Sequence, residues 1–149
     1  MLRDVLIELY ERDFGRLREE IEQYPDDESL WRISDAITNS GGNLCLHITG
    51  GLKHFFGAVL GGTNYVRDRD AEFSDKGVSR EQLLSDIQST FPVVKSTLEK
   101  LTQEDFAKTY PIEVFGQAMT TEFFLTHLTT HFNYHLGQIN YHRRLLSRS

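Results

Sequence analysis

The sequence has a single cysteine, no excess of basic residues and no long apolar run. One cysteine excludes an intramolecular disulfide and any zinc site built from several thiolates. Lys and Arg number 16 against 22 Asp and Glu, a formal net charge of −6. That balance argues against a general nucleic-acid binder, which needs a basic face to displace phosphate counterions. No apolar stretch approaches the roughly 18 residues of a membrane span. The segment Met1 to Asp13 carries charge every few residues, unlike a signal peptide, so the expected compartment is the cytoplasm. No repeat, low-complexity tract or linker divides the 149 residues, and they read as one domain, 1–149.

Histidine is the reverse case. All six lie in two short segments: His47 and His54, then His127, His131, His135 and His142. Residues 1 to 46 and 55 to 126 have none.

Four segments have helical periodicity. The first runs from about Leu2 to Gln23, with Val5, Leu6, Leu9, Phe14, Leu17 and Ile21 on its apolar face. Tyr24-Pro25-Asp26-Asp27 ends it, and residues 28–37 read as a loop with one short turn. The second starts near Ser40-Gly41-Gly42-Asn43 and continues to about Leu60, before Gly61-Gly62. Residues 62–78 read as a solvated loop. The third helix opens at Ser79-Arg80-Glu81-Gln82, which fits a capping box. Leu84, Ile87, Phe91, Val94, Leu98 and Leu101 follow at helical steps, and Pro92 should kink or split the helix near Thr90. Residues 102–119 lose the period, although 110–116 alternate as a short extended piece would. The fourth helix spans about Thr121 to Leu146. Its stripe Phe124, Leu128, His131, His135, Gln138, His142 and Leu145 is expected to face the core. Four such helices, joined by long first and last connections, predict an all-α four-helix bundle with crossover connections.

Helical residues four apart differ by about 40° around the axis and about 6 Å along it. Two imidazoles so placed can share one metal ion at Zn–N distances near 2.0–2.1 Å. Both His127/His131 and His131/His135 have this spacing, but His127 and His135 are about 12 Å apart in rise and cannot both join His131 on one ion. The core stripe favours His131 and His135. A third ligand should come from a facing helix, and His47, inside the apolar run Leu44 to Ile48, is the candidate. The same residues also suit a polar core of paired histidines without metal. Gln138 could hydrogen-bond a metal-bound water or a ligand histidine. Outside the site, Cys45 reads as a packed thiol, His54 as interfacial or solvent-facing, His127 as partly exposed and His142 as a helix-end cation beside Arg143 and Arg144. Tyr134 and Tyr141 read as packing residues rather than proton donors.

The string His131-Phe132-Asn133-Tyr134-His135-Leu136-Gly137-Gln138-Ile139 resembles the terminal motif of DinB/YfiT-like proteins, with two histidines four apart before a Gly-Gln pair. Gly42-Asn43-Leu44-Cys45-Leu46-His47-Ile48 resembles the place of that family's first metal histidine. The resemblance implies non-sequential helix packing and a divalent metal, zinc or nickel, held by His47, His131 and His135. It also implies a homodimer and, from the better-understood relatives, thiol-transferase or isomerase chemistry with a low-molecular-weight thiol. The expected function is therefore a metal-dependent enzyme that activates a thiol or water, S-transferase-like or hydrolase-like, on a small-molecule substrate. The alternative is a non-catalytic metal-stabilised bundle or small-ligand binder. Residues 62–78 and 107–119 are the expected walls of a cavity over the metal.

Overall fold

The structure, a computed structural model, describes residues 1–147. Helix α1 (Leu2–Gln23) buries Leu6, Tyr10, Asp13, Phe14, Leu17 and Ile21. Val5 stands beside that ridge and is 51% exposed, contrary to its expected place in the core. The helix stops at Tyr24, whose backbone is extended, as the proline after it requires. A 3-10 turn (Glu28–Trp31) supplies the one short turn expected in the first connection.

Helix α2 (Gly41–Leu52) is capped by Ser40, whose hydroxyl accepts from the Asn43 amide at 3.1 Å. It continues without a break as a π-helical segment (Lys53–Leu60). Two side chains capture carbonyls of this wider turn: Tyr110 donates to Phe55 O at 2.6 Å, and Thr97 donates to Phe56 O at 3.4 Å. Those outside partners offset the poorer backbone geometry that keeps π-helices rare.

The 62–78 segment is more ordered than a solvated loop. It contains helix α3 (Arg69–Ser74), capped by Asp68, and it buries Glu72. Asn43 holds α3 against α2 by donating to Glu72 O at 2.9 Å and Asp75 O at 2.8 Å. A buried amide with both donors satisfied fixes this register.

Helix α4 (Arg80–Lys100) runs unbroken through Pro92, so the expected split is absent. Pro92 faces solvent, where water can take the acceptor its missing N–H leaves free. Buried Thr90 and Val94 anchor the helix on both sides. Leu83 lies fully buried, one residue before the expected Leu84. Ser79 accepts from the Gln82 amide, but the Gln82 side chain turns to Asp86 at 3.1 Å, leaving the capping box half formed. A complete box occurs instead at Thr102 and Asp105, opening helix α5 (Gln103–Ala107). The extended piece expected over 110–116 is absent; one antiparallel bridge, Thr109 with Thr120, flanks that segment.

Helix α6 (Thr121–Leu146) is capped by Thr120. Its buried residues include Phe124, Leu125, Leu128, Phe132, Leu136, Ile139 and His142. The expected stripe is therefore buried at Phe124, Leu128 and His142 and lies to the side of the core between and beyond them. Leu145 is 61% exposed and Gln138 is exposed. His131 and His135 sit on the shoulder, each half-buried.

Helix α1 packs on α4 and α6, and α2 with its π extension packs on the same two helices. The helices adjacent in sequence, α1 and α2, are therefore diagonal, which requires long connections across the bundle ends. This is the expected all-α bundle with crossovers. Its centre is aromatic: Tyr10 meets Phe56 edge-on at 5.4 Å, and Phe14 meets Phe132 at 5.1 Å. Each such fully buried side chain contributes roughly 1.5–3 kcal/mol. Among the described residues, no helix is long and apolar enough to cross a membrane.

Candidate metal centre

Three histidines from two facing helices converge near the middle of α6. His47 comes from the buried face of α2, and His131 and His135 from successive turns of α6. His47 Nε2 lies 3.4 Å from His131 Nε2, and His135 Nε2 lies 3.1 Å from the same atom. One ligand atom from each of the three lies within 4.8 Å of the others. Ligands at 2.0–2.1 Å from an ion stand about 2.9–3.4 Å apart, for octahedral or tetrahedral angles. The spacings of His131 Nε2 from His47 Nε2 and His135 Nε2, 3.4 and 3.1 Å, fit that range.

The opposite ring nitrogens are tied down. His47 Nδ1 faces Glu72 Oε1 at 3.0 Å, with both side chains buried. Burial works to raise the Glu72 carboxyl, but hydrogen bonds from His47 and Arg67 outweigh it and hold the group below its ordinary value. The carboxylate must then accept, so Nδ1 carries the proton and the Nε2 lone pair points into the cluster. Arg67 clamps the same carboxylate, donating Nε to Oε2 and Nη2 to Oε1, each at 2.9 Å. His135 Nδ1 faces Gln138 Oε1 at 2.7 Å, which frees its Nε2 in the same way. Gln138 makes this contact from an exposed position.

Burial, then the neighbouring rings of His135 and His47, push His131 down to about 4. Burial also lowers His135, partly offset by Gln138. Neutral imidazoles are the form that binds a metal. Three imidazole nitrogens within 4.8 Å of one another, with two of the rings backed by proton acceptors, could hold a divalent metal ion.

Sequence reasoning missed Glu72 and Arg67. The available signal was the pair Gly50-Gly51 after His47. A Cβ at Gly50 would collide with Glu72 Oε2, and one at Gly51 would touch Arg67. The room above His47 is filled by this acid–arginine pair.

Of the other histidines, His54 stands apart from the cluster against Phe55, its ring lowered first by burial and then by Arg67. His127 is half-buried between α6 and Phe115, ring centres 5.1 Å apart. His142 is no helix-end cation. It is 1% exposed, with Nδ1 accepting from the Tyr24 hydroxyl at 2.7 Å and Nε2 donating to Arg32 O at 2.8 Å. The crossover after α1 covers it, and burial lowers its ring. Tyr134 and Tyr141 do not pack: they are 66% and 62% exposed. Cys45 is buried, and burial pushes its thiol far up, so it is an inert packed group.

A cavity of about 300 Å3 opens beside His47 and His131. Arg67 and Arg69 from the 62–78 segment and Val114 and Phe115 from the 107–119 segment form part of its wall, as expected. A larger groove of about 870 Å3 lies between α1 and α4, without a histidine in its lining.

Residues 6–149 match DUF1572, described as a protein family of unknown function. No functionally curated protein matches the chain. The fold is similar to a conserved protein from Enterococcus faecalis, with a TM-score of 0.77 and 15% identity over 96% of this chain and 95% of that one. It is also similar to a DinB-like protein from Bacillus cereus ATCC 10987, with a TM-score of 0.74 and 17% identity over 93% and 89%. The chain belongs to the DUF1572 family and has the DinB-like fold.

Proposed function

We propose that the protein is a metal-dependent enzyme whose His47, His131 and His135 hold one divalent ion, zinc or nickel, with an open position toward the cavity. The observation that carries this reading is the convergence of three ring nitrogens, two of them on the His47 and His131 side chains that line the cavity, with Glu72 and Gln138 behind the rings of His47 and His135. A metal held by three neutral ligands lowers the pKa of a bound thiol or water and so supplies a nucleophile at neutral pH.

The chain's own residues supply orientation and shelter. Glu72 and Arg67 fix the ring of His47. Phe55, Phe124, Leu128 and Phe132 line the cavity with apolar surface, against which the apolar part of a substrate can lie. Cys45 is buried and its thiol is pushed up, so a thiol nucleophile must arrive as a second small-molecule substrate. S-transfer with a low-molecular-weight thiol and hydrolysis with water are the two reaction types this arrangement supports. Turnover of electrophilic substrates by metal-loaded protein, with and without added thiol, tests the reading. Loss of turnover in chelator and in His131→Ala is expected. A chain that binds metal, is stabilised by it and turns over neither substrate type is a non-catalytic bundle.

A further inference from the structure

The cavity over the histidine cluster has an unusual charge for this chain. The protein is acidic overall, at −6, yet no carboxylate lines the cavity, while Arg67, Arg69 and His127 do. Arg67 gives Nε and Nη2 to Glu72, which leaves its Nη1 edge free. Arg69 makes no ion pair or hydrogen bond among the described residues; its guanidinium lies over the Phe73 ring at 5.3 Å. A stacked guanidinium keeps its in-plane donors available for an acceptor.

The remaining wall is aromatic. Phe55 and Phe124 meet edge-on at 5.0 Å, and Phe115 leans on Phe124 at 6.1 Å. Phe115 is 54% exposed at the mouth, an apolar surface that a ligand would cover. Mostly apolar lining with a few convergent polar groups is the usual make-up of a small-molecule site, and the volume lies at the small end of such sites.

We propose that this cavity binds an organic anion with a flat apolar body. The body lies against Phe55, Phe115 and Phe124, and a carboxylate head meets Arg69 and the free edge of Arg67. The proposal rests on the metal-centre reading for the reacting position, whereas the anion site is built by side chains outside the ligand set. Arg69 determines the preference for charge, and Phe115 contributes contact area without regard to it.

The test compares 2-naphthoate with 2-naphthamide, nearly equal in shape and different in charge, by calorimetric titration of the full chain loaded with zinc. Naphthoate should bind about tenfold more tightly, the size of one charge-assisted hydrogen bond. Arg69→Gln should bring the two within about threefold, and Arg69→Lys should keep part of the preference. Phe115→Ser should weaken both ligands alike. Equal affinity in the unmodified chain, or a preference untouched by Arg69→Gln, overturns the proposal. The titration is repeated after chelation, with metal content measured separately. A preference that survives without metal supports the arginine site whatever becomes of the metal reading. A preference that vanishes with the metal overturns the arginine site and leaves the metal reading standing.

Discussion

Glu72 reaches across from α3 to place Oε1 3.0 Å from His47 Nδ1, and both side chains are buried. A carboxylate behind a ligand histidine fixes the ring's tautomer and raises its basicity. Glu72→Gln keeps a neutral acceptor but removes the charge, and it leaves Arg67 without its partner. Metal affinity should fall about 10- to 100-fold, read by competition with a chelator of known affinity. An unchanged affinity would show that Glu72 serves the fold alone.

Gly50 is the position that admits this carboxylate. Gly50→Ala puts a methyl group into Glu72 Oε2, whose carboxylate is already held by His47 and Arg67 and cannot swing away freely. Overpacking of this kind costs about 1–3 kcal/mol, so the thermal midpoint should drop and metal affinity should fall with it. Gly137→Ala is the control, since nothing lies within 4 Å of its added carbon; it should leave both readings in place.

His131 is held down to about 4, and His135 is also lowered. The unfolded chain takes up protons near the ordinary histidine value of about 6.5. Between about pH 4 and 6.5 the unfolded state therefore binds more protons, so folded stability rises with pH across that window and is lost as acid is added. Chelated protein should show a falling urea midpoint from pH 7 to 5, with a shallower slope in His131→Ala. The ordinary value of 6.5 alone gives metal release through roughly pH 6; the lowered rings move release further into acid. Stepwise dialysis that empties the site at or above pH 6.5 would contradict the buried, neutral cluster.

His142 holds the first crossover rather than the metal. Tyr24→Phe removes the hydroxyl that donates to His142 Nδ1 and should cost about 1–2 kcal/mol without changing metal content. His142→Ala should destabilise by about 2–4 kcal/mol, through lost packing and the loss of its hydrogen bonds with the Tyr24 hydroxyl and Arg32 O. Loss of metal in either variant would tie this cluster to the site.

Much of the site could be read along the chain, because His131 and His135 share one helix and their spacing alone brings them together. His47 was legible as a polar residue in an apolar run. Glu72 was not: in a segment with several other carboxylates, only the tertiary position of α3 singles out one. His142 was misread because its neighbours Arg143 and Arg144 are charged, while the chain covering it comes from residues 24–32, more than 100 positions away. The stripe on α6 enters the core at Phe124, Leu128 and His142, while His131 and His135 lie at the core's edge. That edge is the better place for a metal site, since ligands there face both the packed interior and a cavity open to substrate.

The most direct measurement is metal content per chain in the purified protein and in its single histidine variants. About one divalent ion per chain is expected in the unmodified protein, in His127→Ala and in His142→Ala. His47→Ala, His131→Ala and His135→Ala should each lose it. Full occupancy in any of those three, or no metal in the unmodified chain after incubation with zinc or nickel, would contradict a centre built from His47, His131 and His135.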